Sequence, residues 1–272
     1  NGKYEFVGQR GDTYPQQKER KSDATSFSIS APVLLNGISR TLFATADDEL
    51  RPVMNGIYFD IHPDRLIFVA SDGHKLVQIS DLTTKVKQEA SFVLPKKSAN
   101  LLRALLPKET EDITIRFDEN TACIRAEKFE MVCRLVEGRY PNYSSVIPKE
   151  NPNEMTIDRL YLLNALKRVS VSSNPASGLV RLHLTEEDGL TISAQDIDFS
   201  TSAEETVDCQ YFGDELNIGF KAPYLIEMLN NINAKEINLQ LGDATRAGVI
   251  VPTENEPDEE LLALLMPMML NS

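Results

Sequence analysis

Residues 71 to 76 read Ser-Asp-Gly-His-Lys-Leu, and Ser71, Asp72 and His74 are the side-chain types that build a nucleophile, an orienting carboxylate and a base. Their spacing argues against that use. A base must face its nucleophile across the fold, and residues this close along a strand or turn diverge. The other histidines, His62 and His183, sit in strand-like runs without a second ligand at metal spacing. Acidic stretches at Asp47-Asp48-Glu49 and at 256 to 260 read as solvated loops. There is no glycine loop of the phosphate-cradling kind. Cys123, Cys133 and Cys209 lie in apolar runs without CxxC spacing, as reduced core thiols do. No catalytic residue, metal or cofactor is expected, and a hydrolase built on Ser71, Asp72 and His74 stands as the alternative.

The elements that hold these residues form a repeat. With 272 residues, 42% hydrophobic and 25% charged, the chain is long enough for two cores of ordinary size. A net charge of −13 excludes nucleic-acid binding through the overall field, so any such contact is local. No run approaches the roughly 20 apolar residues of a membrane span, and no charged-then-apolar leader opens the chain, which predicts a cytoplasmic protein. KYEFVGQRGDTYP at 3 to 15 looks like the end of a strand and turn that returns as KFEMVCRLVEGRYP at 128 to 141. PVLLNGISR at 32 to 40 returns as YLLNALKR at 161 to 168, DRLIFVASD at 64 to 72 as DGLTISAQD at 188 to 196, and ITIRF at 113 to 117 as INLQL at 237 to 241. Spacings of 124 to 128 residues predict two complete units and the tail of another.

Each unit alternates helix and hairpins, an α+β plan. Leu34, Ile38 and Leu42 predict a helix over 32 to 46; Ile57, Phe59 and Ile61, then Leu66, Phe68 and Ala70, predict a hairpin turning at Pro63-Asp64. Pro95 opens a second helix with Leu101, Leu102, Leu105 and Leu106 on its apolar side. Ile113, Ile115 and Phe117 then turn at 118 to 120 into Ala122 and Ile124. The later unit repeats this with Leu162, Leu163, Leu166 and Val169 on a helix, Val180, Leu182 and Leu184 on a strand, and a helix from Tyr224 to Ile232. Polar, proline-bearing linkers at 15 to 26 and 148 to 156 divide the chain into 1–25, 26–150 and 151–272.

Two features remain. ELLALLMPMML at 260 to 270 predicts a buried strand through Leu265 that stops at Pro267, leaving flexible methionines for a groove that takes short apolar peptides. Against the acidic whole, Lys96, Lys97 and Arg103 share one helix, Lys167 and Arg168 another, and Lys221 opens a further one.

SDGHKL, EGRYPNYSSVIP, the repeated unit and MPMML together resemble the bacterial DNA sliding clamp family, the beta subunit of DNA polymerase III, over essentially the whole chain. The resemblance implies repeated clamp domains, each with two helices packed on antiparallel sheets, three to a subunit, with most of the first lacking here. It implies a non-catalytic processivity factor: a head-to-tail homodimer whose ring encircles duplex DNA without regard to sequence and tethers the replicative polymerase, clamp loader and repair proteins through short linear motifs. The chain without its first domain is expected to be a monomer. Carried over residue by residue, DNA contacts fall to Arg51, Lys96, Lys97, Arg103, Lys167, Arg168 and Lys221. The peptide pocket falls to Met54, Ser71, Gly73, His74, Lys75, Leu76, Pro141, Ser145, Val146, Tyr224, Thr245, Ala247, Leu264, Leu265, Met266, Pro267, Met268, Met269 and Leu270. Pro52-Val53 replaces an aromatic pair, Met269 an arginine and Ser145 an often basic position, so a less cationic pocket is expected. A repeat scaffold without DNA contact is the remaining rival.

Overall fold

Serine and aspartate begin the two leading helices in the computed structural model, which describes residues 1–13 and 24–270. Ser30 caps α1 (Ala31–Thr41) by accepting from the Val33 amide, and Asp158 caps α3 (Arg159–Val169) by accepting from the Leu160 and Tyr161 amides at 2.8 and 3.0 Å. The second helices, α2 (Lys96–Leu105) and α4 (Ala222–Asn231), start without a side-chain cap. Their first amides instead donate to the carbonyls of Asn55 and Gly178, at 3.0 and 2.8 Å. The repeat therefore extends to how each helix satisfies its free N–H groups.

The strands of the first unit are β1 (Thr25–Ser30), β2 (Gly56–Ile61), β3 (Leu66–Ser71), β4 (Lys75–Asp81), β5 (Ala90–Pro95), β6 (Asp112–Phe117), β7 (Thr121–Arg125) and β8 (Glu130–Arg134). Those of the second are β9 (Asn153–Asp158), β10 (Leu179–Thr185), β11 (Gly189–Asp196), β12 (Thr201–Val207), β13 (Gln210–Phe212), β14 (Leu216–Lys221), β15 (Glu236–Leu241), β16 (Gly248–Pro252) and β17 (Glu259–Leu265). All strand pairings among the described residues are antiparallel. Two sheets have four strands, in the orders β1-β6-β7-β8 and β12-β11-β10-β14. The third has nine, in the order β13-β9-β15-β16-β17-β4-β3-β2-β5.

That long sheet joins the units, because β17 pairs with β4 from Glu259 opposite Asp81 to Leu265 opposite Lys75. Directly paired residues share a face, and Phe68 lies opposite Ile79 and Ala70 opposite Val77. Phe68 belongs to the core under α1 and α2, while Val77 and Ile79 belong to the core under α3 and α4. Both helix pairs thus lie on the same face of the shared sheet. On the other face Ile67, Val69, Leu76, Val93 and Leu264 form a third apolar cluster, covered by Val136, Tyr140, Tyr143 and Ile147.

Two sequence expectations are corrected. Leu101 is 49% exposed: Ala99 and Leu102 of α2, with Leu106 just past its end, continue one buried stripe at spacings of three and four, and Leu101 falls off that stripe. Residues 4 to 8 form no strand, and Tyr4, Phe6 and Val7 are exposed, because no neighbouring strand pairs with them. Most of the linker expected at 15 to 26 lies outside the described residues, as do Asn271 and Ser272. No helix among the described residues is long and apolar enough to cross a membrane.

Candidate functional site

The turn between β3 and β4 spends its polar side chains on itself. The Ser71 hydroxyl donates to the Lys75 carbonyl at 2.8 Å and accepts from the Gly73 amide at 3.1 Å. One Asp72 oxygen accepts from the His74 and Lys75 amides at 2.8 and 2.9 Å. Gly73, at φ +90°, takes a conformation that side chains resist. Serine and aspartate are structural here, and nothing aligns His74 with Ser71 as a base. The hydrolase reading has no geometry to stand on.

What the turn does present is a wall. β17 ends at Leu265, as Pro267 requires, and the chain continues across two neighbours: the Met266 amide donates to the His74 carbonyl, and the Met268 amide to Gly219 on β14, both at 2.8 Å. Gly219 matters through its missing side chain, since a Cβ there would lie 2.7 Å from the Met268 carbonyl and 2.8 Å from Leu270. Met266 and Met269 stay 42% and 77% exposed, while Pro267, Met268 and Leu270 are half-buried. Tyr224, on the first turn of α4, faces this terminus from the second unit, with the His74 ring 6.0 Å away.

Charge inside the site is paired. The Lys75 side chain is 6% exposed, and its Nζ lies 3.0 Å from Asp72, 3.1 Å from Glu227 and 4.4 Å from the centre of the Tyr224 ring. Burial pulls its pKa down, but the hydrogen bonds and charges of Asp72 and Glu227 outweigh this and raise it, so the ammonium persists. Lys221 lies over the same ring at 4.8 Å. The expected wall residues Leu76, Ala247 and Leu264 are buried together in the outer apolar cluster. Leu265 points to the opposite face and is enclosed in the second core, and Met54 is also buried. Pro141, Ser145, Val146 and Thr245 are exposed; the Ser145 hydroxyl donates to Asn142 and the Thr245 hydroxyl to Asp243. Asp72 was singled out from sequence only for the hydrolase reading, and Glu227 was missed, although it stands one helical turn after Tyr224 on the same face.

The expected DNA-contacting residues divide into two groups. Lys96, Lys97 and Arg103 on α2, and Lys167 and Arg168 on α3, belong to the helix side of the shared sheet. Lys96 pairs with Asp47 at 2.6 Å, Arg168 with Glu205, and Arg103 donates to Asn100. Lys97 and Lys167 are exposed and form no ion pair among the described residues. Arg51 and Lys221 lie instead beside the His74 turn and Tyr224: Arg51 pairs with Asp48 at 2.8 Å and donates to the Asp72 carbonyl at 3.3 Å, and Lys221 covers Tyr224.

Comparison with known proteins agrees with this arrangement over nearly all of the chain. Residues 28–142 match the family model described as the DNA polymerase III beta subunit, central domain, and 144–269 match that of its C-terminal domain. The beta sliding clamp of Proteus mirabilis is 31% identical over 259 residues, 94% of this chain and 69% of the relative; that of Synechococcus elongatus is 29% identical over 279 residues, 100% and 72%. Among solved structures, the DnaN sliding clamp of Pseudomonas aeruginosa bound to griselimycin superposes with a TM-score of 0.88 at 28% identity, covering 95% of this chain and 69% of that one. The DNA polymerase III beta subunit of Thermotoga maritima gives 0.89 at 27% identity, covering 96% and 70%. The chain belongs to the beta subunits of DNA polymerase III, the beta sliding clamp family.

Proposed function

We propose that the chain serves as the processivity factor of the replicative polymerase, a non-catalytic clamp that holds duplex DNA by encirclement and partners by short apolar peptides. The observation that carries this reading is the shared sheet: it fuses two like units edge to edge and keeps all four helices on one side. The strands β8 and β12 end their sheets unpaired among the described residues, at the positions where β17 and β4 join inside the chain. Repeating that joint head to tail in the full-length homodimer closes a ring, with 26–150 and 151–272 as two of its repeated domains. Inside it, the cations of α2 and α3 meet phosphates through contacts blind to sequence and weak enough to slide. Retention then comes from topology, in keeping with an acidic protein in the cytoplasm. The groove between His74, Tyr224 and Met266 to Leu270 receives the polymerase, clamp loader and repair proteins.

The test separates the two activities. Lys97→Glu with Lys167→Glu, in the full-length ring on nicked circular DNA, should shorten retention several-fold while griselimycin binding by calorimetry stays unchanged. Undiminished retention would count against the helix-side DNA contact.

A further inference from the structure

We propose that Lys75 and Glu227 form a positioning pair that sets the width of the peptide pocket across the seam between the units, an inference that rests on the pocket reading above. Lys75 stands at the last paired position of β4, opposite Leu265, where the two units stop sharing a strand ladder. Beyond it no strand ladder joins the His74 turn of the first unit to α4 of the second; the Met266 amide bonds the His74 carbonyl, and the His74 ring lies 6.0 Å from Tyr224. The Lys75 ammonium bridges that gap, with Asp72 of its own turn on one side and Glu227 of α4 on the other.

The three groups are not equivalent. Asp72 belongs to the same turn as Lys75, so their pair fixes the turn internally and says nothing about α4. Glu227 is the partner that reaches across, and its side chain is 42% exposed against 6% for Lys75. Tyr224 lies one turn earlier on the same helix, its ring beneath the same ammonium. With Asp72 on one side, the buried ammonium takes Glu227 as its second carboxylate, and that contact holds Glu227, and with it the Tyr224 ring, towards His74. Peptide-contacting atoms on both walls are thereby set by a residue pair that need not touch the peptide through Glu227 at all.

Glu227 also makes the idea testable without unfolding the chain, because its neutral isostere leaves the strand ladder, the Asp72 contacts and both cores intact. Calorimetric titration of the 272-residue chain with griselimycin should show Glu227→Gln binding about tenfold more weakly than wild type, with a melting temperature within a few degrees of it. Glu227→Asp should recover part of the loss. In a double-mutant cycle with Lys75→Met, the two losses should fall well short of adding. A purely structural role would lower the melting temperature and leave affinity at 25 °C unmoved. Wild-type affinity in Glu227→Gln, or additive losses in the cycle, would overturn the pair. Failure of the wild-type chain itself to bind griselimycin is a separate result that overturns the pocket reading and the pair with it.

Discussion

The chain builds one strand position twice, as β4 and as β12, and gives the copies opposite characters. β4, KLVQISD, lies between β3 and β17 and is buried at every position but Gln78; β12, TSAEETV, closes its sheet and is buried only at Val207. Topology is the same, so the difference reflects the neighbour. A strand paired on both sides can carry Leu76, Val77 and Ile79, whereas an open edge must resist pairing at random and does so with Glu204 and Glu205. Polarity along a repeated strand therefore records which edges the chain fills for itself.

The sharpest way to break that comparison is through the arginines above the two strands. Arg40 near the end of α1 bonds Glu259 of β17, and both side chains are 11% exposed. Arg168, at the matching place on α3, bonds Glu205 of β12, with 61% and 30% exposure. Arg40→Ala leaves Glu259 enclosed with Asn36 as its remaining side-chain donor, and removing one partner of a buried pair costs about 3–5 kcal/mol. Arg168→Ala should leave the urea midpoint unchanged within error, since exposed pairs contribute little. Equal midpoints for the two variants would mean that the seam does not enclose its ion pair. Replacing Arg40 and Glu259 together by methionine should restore most of the loss.

A smaller effect sits between helix and sheet. Gly37 of α1 corresponds to Ala165 of α3, and Phe68 of β3 to Ile192 of β11. A Cβ at Gly37 would come within 2.5 Å of the Phe68 ring. Alanine is favoured over glycine in a helix by about 1 kcal/mol, but overpacking a filled core costs roughly 1–3 kcal/mol. Gly37→Ala should therefore lower stability by about 1 kcal/mol in urea titrations. Placed in a Phe68→Ile background, the same change should become neutral or stabilising. A stabilising Gly37→Ala in the wild-type background would show that the ring moves aside freely.

Local patterns were readable because local forces set them. Alternation in Ile113-Ile115-Phe117 and Val180-Leu182-Leu184, the proline opening α2 and the strand stop before Pro267 each depend on a few adjacent residues. The seam was not readable, because β4 and β17 lie in different units and their pairing leaves no periodicity to find. Leu101 misled because consecutive leucines conceal which of them follows the helical stripe. The residues expected for a pocket were reached by resemblance to known clamps; among them, His74, Lys75, Tyr224 and the methionine terminus lie side by side. Glu227 escaped because a lone acid on a helix reads as solvated surface until its partner in another unit is known.

The mildest probe returns to the open edge. Arg168, by hydrogen bond first and then by charge, holds the Glu205 carboxyl below its usual range, although burial opposes this. A depressed carboxyl pKa adds stability that is complete above the unfolded value near 4.5 and is lost as pH falls through the folded one. The ion pair on β12 should thus survive mild acid and dissolve only once pH falls below the ordinary glutamate value, and 0.5 M salt should weaken it wherever it forms because both partners meet solvent. A carbon-detected NMR titration should place the Glu205 midpoint below that of an unpaired surface glutamate, and Arg168→Ala should return it to the ordinary range. A midpoint indifferent to Arg168 would remove this contact from the account of the edge. It would leave Arg168 in the same state as Lys97 and Lys167, exposed and without an ion pair among the described residues.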